Sequence, residues 1–175
     1  MHKLTNDQEA VVRANAINSL DPVFPYISDK QEAWRNIHKF LNESDFRVKY
    51  CAVNLLNSDA VVPTFISVPD NQQIWEDLVK IAVKEEGFIK FNASRALTGL
   101  YPYLPDKKQG CKDLHELTNS KNYLVRREVV YSLKVAFEHL EDKTQIWEDL
   151  HRLANDEDKF VRSTAADFLK TIAGY

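Results

Sequence analysis

Four histidines stand in phase in this chain. His2, His38, His115 and His151 each lie ten residues ahead of a β-branched residue that is followed by a base, and Val79 fills the remaining place in the series. Imidazoles can ligate a metal, carry a proton or pair with a carboxylate. A shared metal needs nitrogens at ~2.0–2.1 Å from one ion, whereas packed helices lie ~8–10 Å apart axis to axis. Successive histidines of such a column therefore do not reach one ion. The column is read as partly buried histidines on the border of an apolar stripe, with His38 and His151 one helical turn after Trp34 and Trp147 and packed on their indole rings. A ligand-facing aromatic groove is the alternative. Two thiols, Cys51 and Cys111, fall in helical stretches far from any metal spacing and are read as buried and reduced. No Gly-rich phosphate loop, nucleophile elbow or zinc-spaced cluster is present, so no catalytic, cofactor-binding or metal-binding residue is assigned and an enzyme is not expected.

The residues that would position any site recur. Val12-Arg13-Ala16-Leu20, Val48-Lys49-Ala52-Leu56, Ile89-Lys90-Ala93-Leu97, Val125-Arg126-Val129-Leu133 and Val161-Arg162-Ala165-Leu169 repeat one pattern, with starts 36, 41, 36 and 36 residues apart. A second motif is locked to the first: Trp34, Trp75, Cys111 and Trp147 precede the next anchor by fourteen residues and follow Asp29, Asp70, Asp106 and Asp142 by five. Two phased motifs per unit mean two helices per unit. Self-similarity at this period marks a stacked array, which offers a long continuous surface rather than one deep pocket.

Each stretch has a helical apolar period. In the first helix the stripe runs on through Phe24 and Ile27, Tyr101 and Leu104, or Phe137 and Leu140. Pro22, Pro25 and Pro102 remove backbone donors, so a kink or break belongs there. Asp29, Asp70, Asp106 and Asp142 stand where an N-cap of the second helix should, and Asp45 and Asp158 where one of the first helix should. The unit with the longer spacing carries its extra residues between Asn57 and Pro69. Val61, Val62, Phe65, Ile66 and Val68 make that segment apolar, and it is expected to fold back on the stack, with a contact to a partner as the alternative.

The chain has 175 residues, 44% of them apolar and 28% charged, with four Gly and six Pro, which is enough apolar content for a core and too little Gly and Pro for a disordered or collagen-like sequence. No run approaches the ~20 apolar residues of a membrane-spanning helix, and the residues from Met1 to Asp7 contain no signal-peptide apolar stretch. A cytoplasmic protein without a membrane partner is expected.

The stretch from Asn155 to Ala166, with Asp158, Val161, Arg162, Ala165 and Ala166, resembles the first-helix signature of HEAT repeats in their short prokaryotic, phycobilisome-lyase-type form. The resemblance extends over nearly the whole chain, and is weakest in the third unit, where Gly87, Asn92 and Cys111 depart from the usual residues. It implies an all-α fold, a right-handed α/α superhelix (solenoid) of about five helix pairs in a single array over 1–175, with units near 5–41, 42–82, 83–118 and 119–154 and a partial unit at 155–175. It also implies that first helices lie outside and second helices line the curve. HEAT-type deoxyhypusine hydroxylases build a di-iron site from repeated His-Glu pairs; this chain offers only His115-Glu116.

The resemblance implies a non-catalytic protein-interaction scaffold with a protein partner and no cofactor. The residues expected to contact the partner are the second-helix positions Arg35, Asn36, Lys39, Glu76, Asp77, Lys80, Lys112, Asp113, Glu116, Glu148, Asp149 and Arg152. The basic column Arg13, Lys49, Lys90, Arg126 and Arg162 is read as a ladder of hydrogen bonds and ion pairs between units, with neighbours such as Asp45 and Asp158; a phosphate-binding stripe is its alternative. Acidic residues outnumber basic ones in the second-helix stretches and the whole chain carries a net charge of -3, which argues against nucleic acid, whose affinity rests on clustered positive charge. Both ends fall inside a unit. The apolar run Phe160, Val161, Ala165, Phe168, Leu169 and Ile172 has no second helix after it, so a longer parent array, or end-to-end pairing into a homo-oligomer, is a further expectation.

Overall fold

The computed structural model describes residues 4–68 and 71–173, with the side chains of Ile66 and Ser67 excepted. Nine α-helices lie among the described residues: α1 Ala10–Asn18, α2 Lys30–Leu41, α3 Phe46–Leu55, α4 Asn71–Lys84, α5 Phe88–Leu100, α6 Lys107–Leu117, α7 Tyr123–His139, α8 Thr144–Leu153 and α9 Lys159–Ala173. There is no strand among them. Odd-numbered helices carry the β-branched anchors and even-numbered ones the Trp motif. Each anchor helix packs on the next anchor helix, and each Trp helix packs on the anchor helix that follows it. The result is an α/α solenoid of four helix pairs closed by a fifth anchor helix.

Chain chemistry sets the helix ends. Asp29 accepts from the Glu32 amide at 2.8 Å and Asp106 from the Gln109 amide at 2.9 Å, while Asp45 takes the Arg47 and Val48 amides and Asp158 those of Phe160 and Val161. Each oxygen satisfies a donor that the first turn leaves free. Asp142 departs from expectation: α8 starts one residue later, and Asp142 bonds the Thr144 amide from a turn ahead of the helix. Asp70 lies outside the described residues. The prolines break rather than bend. α1 gives way to a 3-10 segment at Asp21–Tyr26 and α5 to one at Tyr101–Tyr103, whereas α7, which has no proline, runs unbroken for 17 residues.

One continuous core threads the stack. Val48, Ile89, Val125 and Val161 are buried and Val12 partly so. Aromatic rings make the seam between helix layers. Trp34 is wedged between Phe24 (ring centres 5.9 Å apart) and Phe65 (5.4 Å); Trp75 meets Tyr101 and Trp147 meets Phe137, both at 5.9 Å. Phe65 belongs to the longer unit's insertion, which forms a 3-10 segment at Val62–Ser67 and folds back as expected. Val61, Phe65 and Val68 are buried, and Thr64 accepts a hydrogen bond from the Trp34 indole at 3.1 Å. The last helix is partly covered. Val161, Ala165 and Phe168 are buried, with α9 packed on α7 and α8, while Leu169 and Ile172 are partly buried and Phe160 is about half exposed.

The two rows differ in tightness. Neighbouring anchor helices approach one another along much of their length, and neighbouring Trp helices far less. Small residues suit the first: Ala16, Ala52, Ala93 and Ala165 are buried on the anchor helices, and helix separation follows the side chains at the contact. Polar clasps close this row further, with Asn92 donating to Asn54 at 2.7 Å and Thr98 sharing a hydrogen bond with Ser132 at 2.6 Å. The stack thus has a tight anchor row and a more open row of second helices.

Candidate functional site

The second-helix row divides the twelve candidate residues into two kinds. Arg35, Lys39, Glu76, Lys80, Lys112, Glu116, Glu148 and Arg152 are exposed, and Asn36 and Asp113 partly so. Asp77 and Asp149 are not exposed. Their relative exposures are 3% and 1%, and both are spent on holding the stack. The oxygens of Asp77 face His38 Nε2 of the preceding unit at 2.9 Å and accept from Asn42 at 2.6 Å and Lys80 at 3.2 Å. The oxygens of Asp149 lie 2.9 and 3.0 Å from His115 Nδ1 of the preceding unit and accept from Arg152 at 2.9 Å. A buried carboxylate is tolerated when its lone pairs are met in this way.

The histidine column is thereby reassigned. His38 and His115 bridge one second helix to the next through a carboxylate, and among the described residues of the column only His151, in the last second helix, stacks on an indole, with its ring 5.9 Å from Trp147 at an interplanar angle of 22°. His2 lies outside the described residues. Val79 interrupts the series without breaking the row because Asp113, the counterpart of Asp77 and Asp149, takes its bond from the Trp75 indole at 2.7 Å. Among the described residues no three His, Cys, Asp or Glu side chains converge as metal ligands would.

The basic column works on the other edge, where each second helix turns into the next anchor helix. Arg13 Nη1 donates to the carbonyls of Asp7 and Gln8, and its Nε and Nη2 grip Glu43 of the next unit at 3.0 and 2.7 Å. Arg126 repeats the arrangement on Ser120 and Lys121 and on Asp156, with both carboxylate contacts at 2.7 Å. Lys49 pairs with Glu85. Arg162 holds only the carbonyls of its own joint, Asp156 and Glu157. The ladder is real, but its partners are Glu43, Glu85 and Asp156 rather than Asp45 and Asp158, which cap their own helices. The bonds from Arg126 matter electrostatically: burial pushes the Asp156 carboxyl up, but Arg126 and the Asp158 amide outweigh it and hold the group below its ordinary value.

Both thiols are buried and free. Desolvation pushes Cys111 up to about 11 and raises Cys51 as well, and a thiol so placed is a weak nucleophile at neutral pH. The hollows in the surface are open grooves. One of about 970 Å³ runs between α6 and the α7–α8 turn, past Lys108, Cys111, Lys112 and His139, and another of about 790 Å³ lies between the α4–α5 and α6–α7 joints. Neither brings a nucleophile, a base and an oxyanion donor together. No helix among the described residues is long and apolar enough to cross a membrane.

One feature escapes the periodicity argument. Val11, Phe46, Phe88, Tyr123 and Phe160 are exposed at the starts of successive anchor helices, Phe88 to 72%. Their signal in the sequence was an apolar residue one or two places ahead of each anchor, on the wrong side of the helix for the core.

Compared by sequence, the chain matches no family pattern and no curated protein. Compared by structure, it is similar to two engineered proteins, one with a TM-score of 0.70 at 18% identity over 97% of this chain and 78% of the other, the second with 0.67 at 20% over 97% and 76%. A designed armadillo repeat protein in complex with the peptide (KR)4 gives 0.65 at 16% identity over 95% of this chain and 78% of that one. A structure of microtubule polymerases with Tumor Overexpressed Gene (TOG) domain arrays gives 0.61 at 15% over 98% and 39%. At these identities the likeness is one of fold, and it places the chain among helical repeat solenoids.

Proposed function

We propose that the chain is a non-catalytic protein-binding scaffold whose partner surface is the open row of second helices, with Arg35, Asn36, Lys39, Glu76, Lys80, Lys112, Asp113, Glu116, Glu148 and Arg152 as contact residues. Asp77 and Asp149 fix the row from beneath. The observation that carries the reading is a column of exposed side chains, one per second helix, whose charge alternates along the row: Arg35, Glu76, Lys112 and Glu148. Inter-unit bonds fix the spacing of these positions, so the pattern is a fixed ruler of charge. Such patterning selects a partner by complementarity and steers its approach more than it adds affinity. Solenoid neighbours made for peptide recognition, or solved with a peptide, support the same use of the fold. The anchor pattern supports repeats of the HEAT type, and two buried free thiols suit a reducing compartment such as the cytoplasm.

Charge reversal tests the surface. Glu76→Lys together with Glu148→Lys should abolish co-purification of the partner from the host lysate while leaving thermal unfolding unchanged, since neither side chain holds the stack. Retained co-purification would remove this surface from consideration.

A further inference from the structure

The ladder of bases has one incomplete rung, and the gap coincides with a groove and an exposed apolar strip. Arg13, Lys49 and Arg126 each reach a carboxylate of the following unit, at Glu43, Glu85 and Asp156. Lys90 is the base at the remaining joint, and the residues in register with those carboxylates are Ser120 and Lys121. The Asn119 to Asn122 turn has no acidic residue, whereas every other joint has at least two. Lys90 and Lys121 thus line the 790 Å³ groove with no carboxylate paired to either among the described residues. Glu86 and Glu116 also line it, and Val83 and Tyr123 form its apolar walls, 53% and 40% exposed. Phe88 stands at the start of α5, on the same edge.

We propose that this groove docks a segment of a partner protein in which an acidic side chain adjoins an apolar one. The acidic group takes the place that Glu43, Glu85 and Asp156 fill at the other joints and bridges Lys90 and Lys121; the apolar group covers Tyr123, Val83 and Phe88. Charge complementarity fixes the chemistry. Two cations with no ion-paired carboxylate among the described residues face a slot that the fold elsewhere fills with a carboxylate, and a charge-assisted bond there is stronger than one between neutral groups. Glu86 and Glu116, in the same lining, select against a polyanion. A single carboxylate meets the lysines alone, whereas a phosphate backbone would meet the acids too. The proposal rests on the scaffold reading and places part of the partner contact at the edge of the second-helix row.

The test uses the full chain and a phage-displayed library of random short peptides. Enriched sequences should pair Asp or Glu with an aromatic or aliphatic neighbour, and a synthetic copy should bind the wild-type chain in fluorescence anisotropy. Ser120→Asp closes the rung from within, as Asp156 does for Arg126. It should weaken the peptide about tenfold or more while raising the melting temperature. Lys90→Ala should weaken the peptide similarly without that rise. Enrichment of no acidic-apolar sequence, or equal binding by the Ser120→Asp and wild-type chains, overturns the docking site. The scaffold reading is judged separately: loss of the lysate partner on charge reversal at Glu76 and Glu148 preserves it even if this groove proves empty of function.

Discussion

His115 of α6 and Asp149 of α8 face each other across the boundary between successive second helices, Nδ1 to Oδ1 at 2.9 Å, with the carboxylate buried and the imidazole at its solvent edge. His38 and Asp77 pair in the same way at the other end of the row, between α2 and α4. The pairs tie the second helices together where their backbones lie too far apart for close apolar packing.

This geometry predicts unequal costs. Asp149→Ala removes an acceptor shared by His115 and Arg152, leaving donors that water can still reach because both side chains are about two-fifths exposed. The loss should be about 1–2 kcal/mol, the cost of a broken charge-assisted hydrogen bond without a stranded partner. Glu148→Ala, one residue away and exposed, should stay within about 0.5 kcal/mol of the wild type. Urea unfolding checks both, with the midpoint shifting and the slope held. Equal effects would mean that the bridge contributes nothing.

The rung from Arg126 to Asp156 should make stability acid-sensitive. Asp156 is held below its ordinary value in the folded chain. A depressed carboxyl contributes stability that is present above its unfolded pKa, ~3.9, and is lost as pH falls through the lower folded value. Arg126→Met strands a buried carboxylate and should cost about 3 kcal/mol near neutrality. Without the guanidinium Asp156 is held down less, since burial is then opposed without the Arg126 bonds, so the gap between variant and wild type should narrow as pH falls through the carboxylate range. A gap independent of pH would assign the cost to packing.

How much of this was legible follows from period and partner. The nine helices, the caps at Asp29, Asp45, Asp106 and Asp158 and the breaks near Pro22 and Pro102 came from local rules, because capping and φ restriction act within a few residues. The aromatic seam was half visible: spacing put Trp34 and Trp75 on the apolar side, but Phe65 as the second wall of Trp34 depended on how an irregular segment folds back. The pairing of His38 with Asp77 was missed although both columns were in hand. A periodic pattern says which residues share a column; it does not say which column of the next unit each one faces. The same limit placed Asp77 and Asp149 on the surface, since a carboxylate at the border of an apolar stripe reads as exposed until donors on the neighbouring helix are known.

Two glycines give the last prediction. Gly87 caps α5 at φ 70°, ψ -149°, with open space around its missing Cβ. Gly87→Ala should therefore cost about 1–3 kcal/mol through the backbone alone, whatever its neighbours. Gly110 lies inside α6, where alanine normally stabilises by about 1 kcal/mol. Here an added Cβ would stand 2.5 Å from Leu104 Cδ2 and 3.2 Å from Tyr101 Cε2, in a pocket where both side chains are buried and Tyr101 is already packed on Trp75. Overpacking of this kind costs about 1–3 kcal/mol, so Gly110→Ala should be neutral to destabilising by about 2 kcal/mol. The sign should reverse once Leu104 is shortened: in a Leu104→Ala background, itself about 2–5 kcal/mol less stable, the same change should gain up to about 1 kcal/mol. A double-mutant cycle from urea midpoints measures that coupling. Additive effects would show that α6 sits farther from the Tyr101–Leu104 turn than this packing requires.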